Sequence, residues 1–570
     1  MTNPVQHPAT ATPPAVTGEI ATSPFSQNIV QLTQAEHIEL KWKGNYWKRQ
    51  HEHLKSQNEE LKQELNLAHA KIRDLKQRLY GKKSEKGTTK RDQRTTDERA
   101  TSSRPRGQQK GSKGHGRTAR PDLPVVEEER DVAPEDKQCC ICGKAYDLLR
   151  QTEDSKIIEI QVKSHVRQIR RTMYTQACEC EGVAGVVTAS PAPRLIPKSA
   201  VGVSVWTEVL LSKFLFSRAT HNLCTDYAYR GLPIAPGTLT GGLKRIAPLF
   251  KPLIAQLIKK QLTEALFHND ETGWKVFEAI EGKVGYRWWL WVTQSSSVVY
   301  YTLAPSRSGD IPIDYFSALD KRLEQVIVVC DRYSGYKRLA RENPVILLAF
   351  CWAHVRRDFL DAAKSWPDLE AWMLSWVEAI GELYMLNAQR LEQWDEALAL
   401  ADQTPAFKEY HQALGQAIEQ MEERCDQELE KQHLHVAQRD VLNSLKNHWL
   451  GLIVFVQYPQ VPMDNNTAER RMRNPGMGRK NYYGSGSQWS AGLAAMMFSL
   501  FQTVLLWKLN PHHWLHSYLT VCAENGGQPP VDLSAFLPWE MSEEREQQLA
   551  KPMPMTVANS PIPNQPSPPP

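Results

Sequence analysis

The chain has 570 residues and a formal net charge of +5, a length beyond what one hydrophobic core usually supports, so we expect several domains. Its ten cysteines lie in one cluster or singly, which argues against a disulfide framework. The first 20 residues lack the charged and apolar segments of a secretion signal, so we expect a cytoplasmic protein.

Both ends of the chain have the composition of disordered segments. Residues 1–34 are rich in Pro and Thr and carry almost no charge, and residues 551–570 contain eight prolines. Such segments hold too little apolar surface to form a core. We therefore expect a disordered tail over 1–34 and a C-terminal extension over 526–570 that ends in disorder.

A heptad pattern occupies residues 35–80 and predicts a leucine-zipper coiled coil. Apolar residues recur every seven positions, and a second seam contains one asparagine. The first seam contains Leu40, Trp47, Leu54, Leu61, Ala68 and Leu75, and the second contains Asn58, Leu65, Ile72 and Leu79. The zipper predicts a homo-oligomer. The alternative is a single amphipathic helix packed on its own domain.

The segment that follows the zipper is strongly basic. Residues 71–120, which include the last ten zipper residues, hold 17 Lys and Arg against 5 Asp and Glu, and the part after the zipper is Gly-rich without apolar spacing. We expect 81–124 to be a flexible DNA-binding arm in which Lys82, Lys83 and Lys86 contact phosphates. A plain charged linker is the alternative.

Four cysteines in residues 125–185 predict a structural zinc site. Cys139 and Cys142 form a C-x-x-C pair, and Cys178 and Cys180 form a C-x-C pair. Paired thiolates suit tetrahedral Zn²⁺. Cys140 offers a further thiol, and the alternative is a small β-rich subdomain with free cysteines.

Three acidic residues stand where predicted elements end or begin. Asp270 ends an apolar rise, Asp331 ends the buried strand "QVIVVC", and Glu469 lies on a helix opened by Asn466. Together they would form a cage for hard divalent cations of the kind that drive phosphoryl transfer. Singly, each has a local alternative: Asp270 as a turn residue, Asp331 as a helix cap and Glu469 as a capping-box acid.

The helix that carries Glu469 is basic, and an apolar run follows it. We expect its cations to hold a phosphate backbone, with a solvated helix face as the alternative. These cations are Arg470, Arg471, Arg473, Arg479 and Lys480. The 17-residue apolar run over 491–507 contains Ser499, Gln502 and Thr503, which favours a buried core helix over a membrane span.

Several motifs in order resemble the transposases of the insertion sequence sixty-six family, over roughly residues 40–525. The motifs are "RLYGKKSEK", the cysteine pairs, "HNDETGW", "VVCDRYSGY", "CWAHVRR" and "NNTAERRMR" with "GRKNYYGSG". The resemblance implies a DDE-type enzyme with an RNase H-like mixed-sheet core over 200–525 and a helical insertion at 352–460. The expected fold class is thus multidomain α/β, with a coiled coil and a zinc-binding subdomain before the core.

The resemblance also implies that Asp270, Asp331 and Glu469 are catalytic and bind Mg²⁺ or Mn²⁺. In "CWAHVRR", His354, Arg356 and Arg357 are candidates for DNA contact, with a structural role as the alternative. The pair Cys178 and Cys180 departs from the C-x-x-C expected of the family, and the Pro-rich ends have no counterpart.

The function that follows is a DNA transposase that binds terminal inverted repeats, cleaves strands and transfers a 3′-hydroxyl to target DNA. Its expected partners are double-stranded DNA, further copies of itself and accessory proteins of the same element, without a membrane, in the nucleoid of a bacterial cytoplasm. The alternatives are a non-catalytic DNA-binding regulator and a metal-dependent nuclease without strand transfer.

We predict about one Zn²⁺ per chain, because structural thiolate sites close with four ligands. Changing Cys178 and Cys180 together to Ser is expected to remove most of the zinc that elemental analysis detects in the purified protein. Zinc that stays stoichiometric in this double variant would show that the ligands lie elsewhere.

Overall fold

The computed structural model describes residues 33–80 and 186–552, and between them 131, 133, 137, 141–146, 164–175, 177 and 184. The chain divides into two units, residues 1–88 and 89–570. Most of the predicted tail over 1–34, and residues 553–570 of the C-terminal extension, lie outside the described residues. So do the basic arm with Lys82, Lys83 and Lys86, and three predicted zinc ligands, Cys139, Cys178 and Cys180. The fourth, Cys142, is an exposed free thiol.

The first unit contains one long helix, α1 (Gln34–Tyr80), of 47 residues. Four residues of the first predicted seam are exposed: Leu40 by 55%, Trp47 by 67%, Leu54 by 60% and Leu61 by 63%. Residues seven apart lie on one side of a helix, so these side chains form an exposed apolar stripe. A leucine zipper requires such a stripe. Association of the chain with further copies of itself stays a prediction.

Among the described residues of the second unit, a two-stranded antiparallel ladder precedes a group of helices. The ladder pairs β1 (Met173–Thr175) with β2 (Val186–Thr188), and Met173 faces Thr188. The helices that follow are α2 (Val203–Leu210), which continues into a π-helical turn (Leu211–Leu215), then α3 (Thr220–Tyr229), α4 (Pro236–Ile246) and α5 (Lys251–Gln261).

A five-stranded mixed sheet forms the centre of this unit. Its strands are β3 (Leu266–Lys275), β4 (Arg287–Gln294), β5 (Val299–Ala304), β6 (Val326–Cys330) and β7 (Ile346–Phe350), in the spatial order β5-β4-β3-β6-β7. Strand β4 runs antiparallel to its two neighbours β3 and β5, whereas β3, β6 and β7 run parallel. Every residue of β6 is buried, as expected for a parallel strand covered on both faces.

Helices cover both faces of the sheet. On one face, α6 (Asp310–Phe316) and α7 (Ser334–Glu342) pack against Phe267 and Val328. Six further helices, from Trp352 to Gln457, lie where the sequence predicts a helical insertion, and the first packs on Val329. They are α8 (Trp352–Ser365), α9 (Glu370–Glu392), α10 (Pro405–Leu429), α11 (Val436–Lys446), α12 (Trp449–Leu452) and α13 (Val454–Gln457).

The last helices complete the core. They are α14 (Asn466–Tyr482), α15 (Gln488–Leu506), α16 (Pro511–Glu524) and α17 (Glu543–Ala550). The mixed α/β architecture with a mixed sheet and many helices agrees with the class that the sequence predicts.

Helix α15 carries the predicted apolar run and covers the edge strand β5. Its Ser499 hydroxyl accepts the backbone N–H of Tyr301 at 2.8 Å, and Thr503 accepts that of Val299 at 3.0 Å. These polar groups therefore satisfy strand donors that have no neighbouring strand. Among the described residues, α15 alone has the length and composition of a membrane span, and 67% of its most apolar window is buried inside the protein.

We predict that removing residues 37–80 lowers the oligomeric state of the protein. The exposed stripe of α1 presents apolar side chains to water, and pairing with another copy would bury them. Light scattering of the full chain and of the shortened chain measures the difference. A shortened chain with the full-length oligomeric state would remove the zipper as the cause of association.

Candidate catalytic site at the ends of the parallel strands

The parallel pairing of β3 with β6 brings the first two acids together. The last paired residues of the two strands are His268 and Val329. Asp270 and Asp331 each lie two residues beyond that pair, so both stand where the parallel pairing ends. The ends of adjacent parallel strands form the crevice in which many α/β proteins bind ligands.

Asp270 and its neighbour Glu271 point to opposite faces of the sheet, because successive side chains of a strand alternate. Glu271 accepts hydrogen bonds from Arg307 Nε at 2.9 Å and from the Tyr336 hydroxyl at 2.8 Å. Its side chain is 1% exposed. Arg307 therefore compensates the negative charge of Glu271, and Tyr336 adds a hydrogen bond to it.

The Asp270 carboxylate has a different environment. Its Oδ1 accepts the backbone N–H of Glu271 at 2.9 Å, and among the described residues it has no side-chain donor. The Asp331 carboxylate lies 4.0 Å from Arg307 Nη2, and its Oδ1 accepts the backbone N–H of Tyr333 at 2.9 Å. This bond closes a turn before α7, whose N-cap is Tyr333 without a side-chain cap bond, so the helix-cap alternative for Asp331 is wrong.

Asn465 fixes the beginning of α14 against β3. Its Nδ2 donates to the backbone carbonyl of Asn269 at 2.6 Å, and its Oδ1 lies 3.3 Å from His268 Nδ1. Its backbone N–H donates to Cys351 Sγ at 3.1 Å. Asn465 is 1% exposed, so these contacts are buried and hold the helix beside Asp270.

Glu469 lies one turn into α14 and completes the group of acids. Its Oε1 is 3.6 Å from His354 Nε2 and 3.9 Å from Arg357 Nη2, both on α8. Helix α14 begins after Asn465, and its first turn forms neither a side-chain cap nor a capping box. The capping-box alternative for Glu469 is therefore wrong, since the Asn465 side chain is committed to β3 instead.

The acids repel one another across a buried space. Burial, followed by the negative charges of Glu271, Asp331 and Glu469, raises the pKa of Asp270 to about 8. Burial and Asp331 raise the pKa of Glu271, while Arg307 and Tyr336 oppose that change. The negative charges of Asp331 and Glu469 thus both act on Asp270 and raise its pKa.

His354 lies on α8 and faces the acids. Burial and the neighbouring Arg357 lower the pKa of His354, whereas Glu469 and Asp331 raise it. Its Nδ1 is buried and has no hydrogen-bond partner among the described residues. The other ring nitrogen, Nε2, is the one that faces Glu469. Arg356 is half-buried on the same helix, and Arg357 is exposed.

The five cations of α14 separate into two groups. Arg470, Arg473 and Lys480 are exposed and form a basic outer face. Arg471 donates to Gln294 Oε1 and Gln502 Oε1, each at 2.9 Å, and Arg479 donates to Thr272 Oγ1 at 3.1 Å. Arg471 and Arg479 therefore hold α14 on the sheet and on α15. Of the five cations, the three on the outer face are left to contact a phosphate backbone.

The chemistry of the donors fits a hard divalent cation. Asp270, Asp331 and Glu469 offer carboxylate oxygens, which Mg²⁺ and Mn²⁺ prefer, and Asp270 carries uncompensated repulsion that a cation would relieve. In the part of the chain that the structure describes, no three His, Cys, Asp or Glu side chains are close enough as arranged to hold a metal ion. The carboxylates would have to turn inward to converge on one.

Sequence reasoning missed three residues that shape this site. Arg307 and Tyr336 bind Glu271, and Asn465 anchors α14. The alternation of side chains along a strand was the available signal that Asp270 and Glu271 have different roles. Arg307 lies in the loop after β5, and no local pattern marks it.

The carboxylates of Asp270, Asp331 and Glu469 are groups that could hold the metal ions that assist phosphoryl transfer, and the exposed cations of α14 suit contact with phosphates. The family model described as "Transposase IS66 family" matches residues 198–492. This segment is more than half of the chain and contains all three acids. The chain belongs to the IS66 family of transposases.

Two relatives come from Sinorhizobium fredii and are both described as uncharacterized. The protein y4jD is 24% identical over 530 residues, which cover 88% of this chain and 99% of the relative. The protein y4hP is 24% identical over 442 residues, which cover 73% of this chain and 75% of the relative. No solved structure matches the chain significantly.

We predict that Asp270→Asn stabilises the metal-free protein above pH 8. The folded state holds the Asp270 proton to a higher pH than the unfolded chain, so stability falls as pH rises from about 4 to about 8. The Asp270→Asn variant does not lose stability in this way, because its side chain does not ionise. Because a tenfold change in proton affinity corresponds to about 1.4 kcal/mol, its advantage at pH 9 is on the order of several kcal/mol, and it vanishes near pH 4.

Thermal unfolding with a chelator present, between pH 4 and pH 9, measures this difference. Asp361→Asn is the matched control, because Asp361 is a partly exposed acid on α8 that pairs with Lys364 at 3.0 Å. A difference for Asp270→Asn that does not change with pH would contradict the buried, repelled carboxylate.

Proposed function

We propose that this protein is a DNA transposase that cleaves the ends of its element by metal-dependent hydrolysis and then transfers the freed 3′-hydroxyl to target DNA. Membership of the IS66 transposase family supports the role in transposition. The observation that carries the catalytic part is the meeting of Asp270, Asp331 and Glu469 in one electrostatic environment. The three acids come from two strands and a distant helix, and local capping does not account for the position of Glu469.

In this proposal the carboxylates of Asp270, Asp331 and Glu469 would hold two Mg²⁺ or Mn²⁺ ions. Bound metal would supply Lewis-acid activation of the attacking oxygen and neutralisation of the leaving oxygen. Asp270 is the most buried of these acids, so its carboxylate would be the most rigidly placed ligand.

Residues around the acids position them. Arg307 neutralises Glu271 and approaches Asp331, so it keeps Asp331 oriented without adding to the negative charge. His354 Nε2 and Arg357 Nη2 approach Glu469 from α8. These contacts fix the acid side chains before DNA arrives, which limits the reorganisation that the reaction requires.

The outer face of α14 is the proposed track for the DNA backbone. Arg470, Arg473 and Lys480 are exposed along one side of a helix whose first turn carries Glu469. Phosphate contacts fix the register of a duplex without reading its sequence. The scissile phosphate would thus be held over the acids by the same helix that supplies one of them.

The strand order and directions of the sheet support an RNase H-like core, with α8–α13 as the helical insertion. Further parts of the proposal rest on the sequence. The zipper over 35–80 would join copies of the chain, and the basic arm and the outer cations of α14 would bind double-stranded DNA. The cysteine pairs would hold a structural Zn²⁺. The protein would act in the bacterial nucleoid with accessory proteins of the element.

We predict that Asp270→Asn, Asp331→Asn and Glu469→Gln each lower cleavage of the element ends in Mg²⁺ or Mn²⁺ by at least about 10²-fold, because loss of one electrostatic group in a closed site costs about 10²–10³ in rate. DNA binding is expected to persist, since the outer cations of α14 are unchanged. Gel assays of cleavage and of binding on the same duplex measure both, with Asp361→Asn as the control.

Near wild-type cleavage by Glu469→Gln would remove that residue from the catalytic group. Binding without any metal-dependent cleavage by the wild-type protein would support the regulator instead. Cleaved ends that never join to target DNA would support a nuclease without strand transfer.

A further inference from the structure

A cavity of about 370 Å³ lies at the far end of α14 from the acids. The π-helical turn Leu211–Leu215 forms one wall, and the segment Gly484–Ser487 with the start of α15 forms another. Pockets of this size hold small ligands. None of the residues assigned to the carboxylate site lines this cavity, so it needs a separate explanation.

Lys213 lines the cavity and has no acidic partner among the described residues. Its Nζ donates to Thr220 Oγ1 at 3.1 Å and lies 4.5 Å from the centroid of the Tyr482 ring. Burial lowers the pKa of Lys213 to about 8. A half-buried cation without a carboxylate is costly, and an anionic ligand would compensate it. The π-helical turn that carries Lys213 is a feature frequently found at functional sites.

The remaining lining combines hydroxyl groups with aromatic surfaces. Thr240, Ser485 and Ser490 contribute hydroxyls, and Tyr482 and Trp489 contribute rings. The exposed Lys244 places its Nζ 6.0 Å over the Trp489 ring. A ligand that fits this set carries a phosphate and a flat ring, which is the chemistry of a nucleotide.

The backbone of the Gly484–Ser487 segment is held in the shape that opens this cavity. Ser485 N–H donates to the carbonyl of Lys275 at 2.8 Å, and the Trp274 indole donates to the Ser485 hydroxyl at 3.1 Å. A Cβ on Gly484 would lie 2.2 Å from the Lys275 oxygen, and its φ of +146° also favours glycine. The segment is therefore a rigid wall and not a loose connection.

The position of the cavity relates it to the proposed DNA track. Glu469 and Tyr482 are separated by 13 residues of α14, or roughly 20 Å at 1.5 Å per residue. This length corresponds to roughly six nucleotides at about 3.4 Å each along a strand. The exposed Arg470, Arg473 and Lys480 lie along α14 between them.

We propose that the cavity between Lys213, Tyr482 and Trp489 receives one unstacked nucleotide of the DNA strand that follows the outer face of α14. The nucleotide phosphate pairs with Lys213 and the hydroxyls, and the base lies against the aromatic walls. Extruding a base costs stacking energy, which the pocket contacts offset. The inference rests on the proposed function for the source of the strand, whereas the nucleotide chemistry rests on the cavity alone.

The first test uses the full chain and three small probes: thymidine 5′-monophosphate, thymidine and inorganic phosphate. Calorimetric titration is expected to show the monophosphate binding more tightly than either fragment. Lys213→Met should weaken monophosphate binding about tenfold or more, because it removes a charged hydrogen-bond donor. Trp489→Leu should weaken the monophosphate but not phosphate. Lys321→Met, at an exposed lysine before β6, should change nothing.

Thermal unfolding separates lost binding from lost folding, since Lys213→Met removes a half-buried charge and is expected to keep or raise the unfolding temperature. Equal affinity for phosphate and for the monophosphate would show that the cavity binds only the anion, and it would overturn the proposal of a nucleotide site. Absence of binding by all three probes to the folded protein would overturn the site.

The second test places 5-iododeoxyuridine at successive positions of a duplex from the element ends. Irradiation of the complex is expected to crosslink Tyr482 or Trp489 at one or two neighbouring positions, and Lys213→Met should reduce this crosslink several-fold. Bound duplex that crosslinks neither residue at any position would overturn the proposal. Because no cleavage is required, an inactive carboxylate site would be recognised separately by the cleavage assay.

Discussion

The structure depends on holding like charges together at the end of β3 and β6. Asp270, Glu271, Asp331 and Glu469 lie within electrostatic reach of one another, and burial strengthens their repulsion. The fold meets this cost in two ways. On one face of the sheet, Arg307 and Tyr336 bind Glu271. On the other face, Asp270 keeps its repulsion, and buried hydrogen bonds of Asn465 hold α14 in place beside it. A site that stores such repulsion is less stable than a core of apolar residues would be, and functional sites commonly carry this cost.

Helix α14 links the separate parts of the molecule. Its first turn supplies Glu469, and its inner side places Arg471 and Arg479 on Gln294 and Thr272. Its outer side carries the exposed cations, and its end leads into the glycine-containing wall of the cavity. Because one rigid helix joins these features, the acids and the cavity have a fixed separation. DNA that engages both must follow the direction of the helix.

The sequence predicted the elements that carry the acids, because buried parallel strands read as continuous apolar runs and "QVIVVC" is such a run. It could not predict that β3 and β6 are neighbours, since that adjacency depends on the whole strand order. It grouped five cations of α14, whereas side-chain contacts at long range turn Arg471 and Arg479 inward. The capping-box alternative failed for a similar reason: the Asn465 side chain gains buried partners on β3 that a local pattern cannot reveal. Ser499 and Thr503 favoured a core helix, and their role as partners of an edge strand appears only in three dimensions.

The position of helices α8–α13 between the acids has a consequence for synthesis. Glu469 follows Asp331 by 138 residues, so the ribosome completes the two strand acids well before it makes the helix acid. At about 5–20 residues per second, the interval is roughly 7–28 s. During this time the nascent chain holds two of its three acids and lacks the basic face of α14. A chain that stops within the interval therefore cannot assemble the full carboxylate group, so a truncated translation product would lack the proposed catalytic site.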